Sequence, residues 1–315
     1  DWWGLLLLAV SVASLQIVLE RGEKEDWFAT TYIIVLTAVT VIGWICFVWR
    51  ELTTEHPVVN LRIFRHRSFT LGIFTTLLFG LGMFGSVFVY PLMFQNLLGF
   101  TAEQTGLILL PGGIATILMM PWIGMMLKKG IPAQFLSTGG FIIFFLFCLM
   151  MVWNTTAVSG TGDFFWPLIV RGVGMAMLFV PITTLAVQDL RGKEIGQGTG
   201  LNNMARQLGG SFGVALITTF MARQNMVHRN DLVANLNTNN PDVVNRVTGL
   251  AHGFAAKGMD PVTALHSGYK VLDDSVTKQA AVMSHMDVFL YLGVRFLICI
   301  PFQMMVKAKK AAKLD

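Results

Sequence analysis

Long apolar runs divide the chain into segments that are each long enough to cross a lipid bilayer. A spanning helix needs about 20 mainly apolar residues, because the hydrocarbon core is about 30 Å thick and a helix rises 1.5 Å per residue. About eight segments qualify, at roughly residues 4–19, 30–49, 69–97, 104–127, 134–153, 164–187, 201–221 and 285–306. The third is long, and Pro91 near its end predicts a kink or a helix break there. The pattern predicts an all-α, polytopic membrane protein.

One connection is much longer than the others and runs from about residue 222 to 284. Two helix starts are recognisable in it, Asn240-Pro241 and Asp260-Pro261, since each places a capping side chain before a proline at the first helical position. We expect two or three short amphipathic helices in this extracytoplasmic loop. Their predicted buried face consists of Val243, Val244, Val247, Leu250 and Phe254.

Composition excludes an ordinary soluble globule, because 54% of the residues are hydrophobic, only 13% are charged and the mean hydropathy is +0.62. The net charge of +5 comes from dispersed basic residues without a basic stripe, so nucleic acid is not an expected partner. Instead, Lys and Arg collect on one side of the predicted spans, which places both termini of the chain in the cytoplasm. These residues are Arg50, Arg62, Arg65, Arg67, Lys128, Lys129, Arg191, Lys193, Lys307, Lys309, Lys310 and Lys313.

Two glycine motifs match soluble-enzyme patterns only superficially. GLGMFG at residues 80–85 fits a dinucleotide-binding pattern and GGSFG at 209–213 fits a nucleophile elbow, but both lie within apolar spans. We interpret both as small-residue faces that let membrane helices approach closely. No His spacing fits a metal site, and we expect neither a metal nor another cofactor.

Polar side chains within the spans are informative, because an ionised group there costs several kcal/mol unless it is paired or hydrated. Thr199, Asn202, Asn203 and Arg206 follow helical spacing, with Gln207 beside them, and predict a polar face that meets a water-filled cavity or a partner helix. The alternative is that Arg206 reaches the cytoplasmic headgroups, since it lies near the start of its predicted span.

Two further arginines, Arg171 and Arg295, lie inside predicted spans. Arg295 is central, so we expect a carboxylate, a carbonyl or a water molecule beside it; a lipid phosphate contact is the alternative. No Asp or Glu lies in the middle of a predicted span, and Glu103 and Asp189 are at edges. A proton-driven transporter needs a protonatable group in the membrane. If this protein uses protons, we expect that group in a part of the protein outside this chain.

Four sequence blocks occur in the order that is typical of one transporter family. LERGEKEDWF, ELTTEHPVVNLRIFRHRSF, QNLLGFTAEQTGLILLPGGI and GQGTGLNNMARQLGGSFGVALITTF together resemble the fourteen-helix drug:proton antiporters of the major facilitator superfamily, the EmrB/QacA type. The resemblance implies that residues 1–68 contain two inserted transmembrane helices and a cytoplasmic linker. Residues 69–315 would then form the C-terminal six-helix bundle, preceded in the complete protein by an N-terminal half.

The resemblance also implies a function, which is proton-coupled multidrug efflux by alternating access across the bacterial inner membrane. The substrate would be an amphipathic small molecule, the energy source would be the proton gradient, and membrane lipids would surround the protein. Lys128 stands where the superfamily's loop motif has an aspartate, so the gating charges are expected mainly in the other half. Aromatic and Met side chains suit varied apolar ligands; the expected cavity residues are Phe84, Phe88, Tyr90, Met93, Asn202, Asn203, Arg206 and Gln207.

Two other interpretations stay open. The same machinery could export a native metabolite, a lipid or a siderophore. The chain could also belong to a membrane subunit of an envelope efflux assembly, whose long loop contacts a periplasmic adaptor that leads to an outer-membrane channel. A membrane-embedded enzyme would require His, Asp or Glu clustered at one depth of the spans, and the sequence does not show such a cluster.

Overall fold

Nine α-helices form most of the chain that the computed structural model describes, which is residues 1–54, 61–237 and 239–305. They are α1 (Trp2–Arg21), α2 (Thr31–Thr53), α3 (Arg67–Pro91), α4 (Ala102–Lys128), α5 (Ala133–Asn154), α6 (Phe165–Val187), α7 (Lys193–Ala234), α8 (Pro241–Ala255) and α9 (Pro261–Met305). Seven of them, all but α7 and α8, are long and apolar enough to span a membrane, which confirms an all-α, polytopic membrane protein. The eighth predicted span, residues 201–221, lies in α7 and is not one of these seven. The predicted basic cluster Lys307, Lys309, Lys310 and Lys313 lies outside the described residues, as does part of the predicted linker, residues 55–60.

α7 is more polar than the seven apolar helices, yet it packs lengthwise along α3. A Cβ atom added to Gly209 would lie 2.8 Å from the carbonyl carbon of Leu77, and one added to Gly213 would lie 2.8 Å from the Cα of Leu81. Only glycine allows backbones to approach this closely, so the predicted small-residue faces are confirmed. Because residue numbers rise together along both helices, α3 and α7 are parallel and lie at the same level.

The break predicted at Pro91 is confirmed. The α-helix ends at Pro91, and the chain continues through a π-helical segment, Leu92–Leu97. Proline lacks the N–H that would continue the regular hydrogen bonding, and wider helical turns accommodate such a gap. The π-helical segment buries Met93 and Phe94 in the core of the bundle.

The long connection differs from its prediction. Instead of two or three separate short helices, α7 extends to Ala234, α8 is the one short helix among the described residues, and α9 runs from Pro261 directly into the bundle. We call residues 222–284, without the undescribed residue 238, the hairpin. The continuous helices arise because residues 222–234 contain neither proline nor glycine, and residues 262–284 contain no proline and a single glycine, Gly268. Arg229 and Asp273 join α7 to α9 at 2.7 Å.

Both predicted helix starts in the hairpin are confirmed. The side chain of Asn240 accepts a hydrogen bond from the backbone N–H of Asp242 at 3.1 Å. Asp260 accepts hydrogen bonds from Thr263 and Val262, and these hydrogen bonds lower the pKa of its carboxyl group. Of the predicted buried face, Val247 is buried against α9, Val243, Leu250 and Phe254 are half-buried, and Val244 is exposed.

α1 and α2 pack against each other through small and polar side chains. The Thr40 hydroxyl donates to the Ser14 hydroxyl at 2.8 Å, and Gly43 makes room for Ser11. α1 also meets α7, and just beyond the end of α1 Glu23 accepts a hydrogen bond from the Thr219 hydroxyl at 2.6 Å. The two helices thus form a pair on the side of the bundle, while the proposed boundary at residue 68 stays a prediction.

Candidate functional site

One face of α7 is polar and is not covered by the described residues. Asn203 and Gln207 are exposed, and Arg206 is half-buried between them and α6. The Arg206 guanidinium donates to the side-chain oxygen of Asn203, and its central carbon lies 4.4 Å from the ring centroid of Phe179 on α6. We call Asn203, Arg206 and Gln207, with the ring of Phe179, the α7 face.

The prediction that Asn202 shares this face is wrong. Asn202 is fully buried, and its side-chain oxygen accepts a hydrogen bond from the Thr76 hydroxyl on α3 at 2.6 Å. Neighbouring residues of a helix point about 100° apart, so Asn202 joins α7 to α3 while Asn203 points away from α3. Thr199 donates to the carbonyl of Ile195 within its own helix. Whether Asn202 contributes to a substrate cavity stays a prediction.

Arg206 lies deeper than the sequence suggested. A Cβ atom added to Gly80 would touch the backbone of Arg206, so the two residues are level. Gly80 lies near the middle of the 31-residue apolar segment Arg67–Leu97. Arg206 is therefore far from both ends of α3, and this position disfavours the alternative in which it reaches the headgroups.

The four aromatic and Met residues predicted for the cavity lie on different sides of α3 and of the π-helical segment that follows it. Phe84 packs against Gly210 of α7, and Phe88 is half-buried. Tyr90 and Met93 are fully buried in the core. Tyr90 stacks with Phe94 at 5.9 Å between ring centroids. The structure therefore does not bring the four together on one surface, and their role in a cavity stays a prediction.

Arg171 on α6 points towards α3. Its guanidinium lies 3.5 Å from the Ser86 hydroxyl, and its central carbon lies 5.1 Å from the ring centroid of Tyr90. Among the described residues, neither the Arg171 Nε nor the Tyr90 hydroxyl has a hydrogen-bond partner. The contact is thus mainly between a cation and an aromatic ring.

Arg295 on α9 has an aromatic ring beside it, and the expected carbonyl, water or lipid phosphate partner stays a prediction. Its central carbon lies 4.3 Å from the ring centroid of Tyr291, one helical turn earlier. Within the described part of the chain it forms no ion pair. A ring can replace a carboxylate because its face is electronegative, and no second charge must be buried. Arg295 lies between α9 and α3, away from the α7 face.

A polar contact that the sequence does not predict joins α7 and α9 at the base of the hairpin. His228 Nε2 lies 2.6 Å from Asp287 Oδ2, and the Gln224 amide donates to the same oxygen at 2.9 Å. Asp287 was recognisable as an acidic residue near the start of the last predicted span. Its histidine partner was not, because 59 residues separate the two in the sequence.

Two apolar depressions lie away from the α7 face. The larger, with a volume of about 610 Å³, opens between α4 and α6 and is lined by Gln104, Leu107, Ile108, Pro111, Phe165 and Trp166. The other, of about 310 Å³, is a groove in the hairpin lined by Val233, Leu236, Val244, Leu265, Tyr269 and Leu272. We call it the hairpin groove.

Comparison with known proteins agrees with this helical architecture. Residues 4–214 match the family model of the Major Facilitator Superfamily, which is more than half of the chain. The chain belongs to the Major Facilitator Superfamily of transporters, and it is a multi-pass inner-membrane protein.

Several curated relatives match over nearly the whole chain. It is 31% identical over 294 residues to the multidrug export protein EmrB of Escherichia coli K12, which covers 92% of this chain and 55% of the relative. It is 29% identical to the fatty acid resistance protein FarB of Neisseria gonorrhoeae, over 98% of this chain and 59% of the relative. It is 30% identical to the probable multidrug resistance protein EmrY of E. coli K12, over 94% and 56%. The resemblance to the EmrB type is confirmed, and the chain spans little more than half the length of these relatives.

Proposed function

We propose that this chain is the C-terminal part of a transporter that exports amphipathic compounds across the inner membrane in exchange for protons. The names of EmrB, EmrY and FarB, which refer to export or resistance, support efflux. In this proposal the six helices α3–α7 and α9 form one of two bundles, and transport occurs when one bundle rocks against the other. The hairpin lies on the extracytoplasmic side, and the basic connections lie in the cytoplasm.

The observation that carries the proposal is the α7 face. Asn203 and Gln207 are exposed at a level where the helices otherwise present apolar residues, and Arg206 is held beside them. Polar groups at membrane depth line water-filled pathways or contact polar partners, because lipid tails cannot solvate them. A face of this kind suits the wall of a cavity between two bundles. Phe179 supplies an apolar surface next to the polar groups, as an amphipathic ligand requires.

Proton coupling is part of the proposal, and a contact between a histidine and a carboxylate on two helices of the bundle is a candidate for it. His228 and Asp287 form a contact of 2.6 Å between α7 and α9, close to the proposed extracytoplasmic surface. We still expect the main coupling carboxylate in the N-terminal half of the complete protein.

The test uses the complete gene in cells that lack their own efflux pumps. We expect resistance to amphipathic compounds and export of a fluorescent amphiphile that stops when a protonophore collapses the proton gradient. Native metabolites, lipids and siderophores are tested as competitors in the same assay, which distinguishes drug efflux from export of a natural substrate. If no amphiphile is exported in a manner that depends on pH, the proposal is wrong.

A second candidate function is membership of an envelope efflux assembly, in which the hairpin binds a periplasmic adaptor connected to an outer-membrane channel. The hairpin groove supports this candidate, because its volume of about 310 Å³ and its aliphatic lining suit the apolar side chains of a partner helix. Tyr269 is 50% exposed in this groove and is therefore accessible to a partner.

Photocrosslinking tests the second candidate in the complete transporter. A benzophenone amino acid at position 269 should crosslink to the adaptor, whereas the same residue at position 262 should not. Val262 is a matched control, since it is 65% exposed on the same helix but does not line the groove. Equal crosslinking from both positions, or none from position 269 in cells with a functioning adaptor, would contradict the adaptor contact.

A further inference from the structure

The turn between α1 and α2 is attached to α7 at the end of the bundle next to the hairpin. Glu23 accepts a hydrogen bond from the Thr219 hydroxyl of α7 at 2.6 Å and another from the indole N–H of Trp27 at 3.1 Å. Trp27 packs closely on Gly22, where an added Cβ atom would lie 2.6 Å from the Trp27 ring. The carboxylate that meets α7 is therefore held in place by its own turn.

A second attachment lies at the opposite end of α1 and α2. Phe47 of α2 is buried in one apolar cluster with Phe69 of α3 and Leu201 of α7. Ile63, in the connection between α2 and α3, is buried in the same cluster, and Leu7 of α1 packs against it. This cluster joins α1 and α2 to both α3 and α7.

The two attachments are about one membrane thickness apart. Leu201 and Thr219 lie on the same continuous helix, about 27 Å apart along its axis at 1.5 Å per residue. The hydrocarbon core of a bilayer is about 30 Å thick. Between the two levels, the Thr40 hydroxyl of α2 donates to the Ser14 hydroxyl of α1 at 2.8 Å. Because α1 and α2 are joined to each other and held at two distant points, they cannot tilt against α7 without breaking one attachment.

The attached side of α7 differs from the α7 face. At about 100° per residue, Leu201 and Thr219 point in the same direction, whereas Asn203 and Gln207 point about 160° and about 120° away from it. α1 and α2 are therefore packed on α7 without covering the α7 face, where Asn203 and Gln207 are exposed. All of the contacts that attach α1 and α2 are formed by this chain alone.

We propose that α1 and α2 are a fixed part of the C-terminal bundle and move with it, as one body of eight helices, when the two bundles rock. This body consists of α1–α7 and α9. Close-packed side chains do not deform continuously, so an interface held at both ends moves as a unit. The surfaces that slide past each other then lie between this body and the N-terminal half, and not between α1 and α7. The inference rests on the proposed function, because it describes the movement of that transporter.

The experiment measures distances between spin labels in the complete transporter in nanodiscs. The labels are attached to cysteines in an otherwise cysteine-free protein. One is at position 24, beside Glu23, a second is at position 226 on α7, and a third is on an extracytoplasmic loop of the N-terminal half. Lys24 and Met226 are suitable because both are exposed. The distances are compared at acidic and neutral pH, with and without a transported amphiphile.

The distance between positions 24 and 226 should change by less than about 2 Å, whereas the distances from both positions to the third label should change together by about 5 Å or more. A variable distance between 24 and 226, with a constant distance from 24 to the third label, would overturn the inference, because α1 and α2 would then follow the N-terminal half. If the distance between 24 and 226 is narrowly distributed and no distance changes, the rocking of the proposed function fails and the attachment stands.

Thr219→Val tests the attachment next to the hairpin. It removes the hydrogen bond to Glu23 and should broaden the distribution of distances between positions 24 and 226, since packing alone then holds the turn to α7. Thr218→Val is the matched control, because the Thr218 hydroxyl donates to the Val214 and Ala215 carbonyls of its own helix. Equal broadening by both variants, or none by Thr219→Val, would contradict the role assigned to this contact.

A reversible link between the turn and α7 tests the inference in an export assay. Glu23→Cys and Thr219→Cys are joined with a short bifunctional thiol reagent that a reducing agent cleaves. Export by the linked transporter should be unchanged, because the two positions do not move against each other during transport. Glu23→Cys alone, treated with the same reagent, is the control. Loss of export that reduction restores would overturn the inference, whereas absence of export before linking would contradict the proposed function and leave the distances to decide the inference.

Discussion

α4 and α7 are attached to the bundle in the same way but expose opposite surfaces. Both use glycine contacts, Gly112 of α4 against Leu168 of α6 and Gly209 of α7 against Leu77 of α3. The free side of α4 consists of large apolar residues, for example Ile117, which is 70% exposed. The free side of α7 instead carries Asn203, Arg206 and Gln207.

Two properties of a membrane helix are therefore independent of each other, namely where the helix packs and which residues its free side carries. Glycine contacts fix where a helix lies, whatever its free side carries, because they depend on the close approach of two backbones. The polarity of the free side matches what covers it, which is lipid or an apolar partner for α4 and water or a polar partner for α7. The helix with the lower hydropathy is thus as firmly packed as its neighbours, and its polar residues are available for function.

The largest expected effect comes from breaking the attachment of α7. Gly209→Leu would force a side chain into the backbone of Leu77, where even a Cβ atom would lie 2.8 Å from the carbonyl carbon. We expect a loss of about 3 kcal/mol in unfolding free energy, or failure to accumulate in the membrane. Gly113→Leu on α4 is the control, since nothing lies within 4 Å of its Cβ position. Thermal unfolding in nanodiscs measures both, and similar stability would contradict the packing of α7 on α3.

A lysine on each free side tests whether the two surfaces face different surroundings. Ile117→Lys should cost about 3 kcal/mol, because it places a charge in contact with lipid tails or an apolar partner. Gln207→Lys should cost about 0.5 kcal/mol or less if its side of α7 is hydrated. The unfolding temperatures of the complete protein in nanodiscs give the difference. Equal costs at the two positions would mean that the free side of α7 is not a hydrated surface.

The buried hydrogen bond between α3 and α7 has a smaller expected effect. Thr76→Val removes the donor at 2.6 Å from the Asn202 oxygen and should cost about 1 kcal/mol. Thr75→Val is the matched control, because Thr75 is equally buried but donates to the Leu71 carbonyl of its own helix. Stability measured by chemical denaturation should be lower for Thr76→Val than for Thr75→Val, and the reverse order would contradict the role assigned to Asn202.

Cysteine labelling perturbs the structure least and gives the finest comparison. In a chain whose three native cysteines, Cys46, Cys148 and Cys299, are replaced by alanine, we expect Asn203→Cys to react severalfold faster with a water-soluble maleimide than Ile117→Cys. The thiolate is the reactive form, and it is favoured by water and disfavoured by an apolar environment. Preincubation with a transported amphiphile should slow labelling at position 203. A faster reaction at position 117 would reverse the assignment of the two surfaces.

The sequence was sufficient to predict the helical segments, the break at Pro91 and the close contacts of the two glycine motifs. These features depend on local properties, namely hydrophobic run length, the missing N–H of proline and the small size of glycine. Features that join distant parts of the chain were not predictable in the same way. Asn202 and Asn203 are adjacent and chemically identical, and only the position of α3 determines that one is buried and the other exposed.

Two misjudgements about the hairpin and the site have the same origin. The polar composition of residues 222–284 predicts only short helices in an extracytoplasmic loop, but polar sequences also form long helices when neighbouring helices support them. The apolar run begins at about residue 201 and so predicts that Arg206 lies near a span edge, whereas the depth of Arg206 is determined by the pairing of α7 with α3. In both cases hydropathy indicates where a segment is apolar, whereas packing determines how far the helix continues and how deep its residues lie.

α7 and α9 contain 42 and 45 residues, so at 1.5 Å per residue they are about 63 and 68 Å long, twice the thickness of the hydrocarbon layer. Each passes from the bundle into the hairpin without interruption, and the pair is joined at His228–Asp287 and at Arg229–Asp273. Any rotation of the bundle therefore displaces the tip of the hairpin further than it displaces residues within the bundle. Spin labels on that tip would report the conformational cycle of the transporter from the aqueous phase, with no reporter group inside the bilayer.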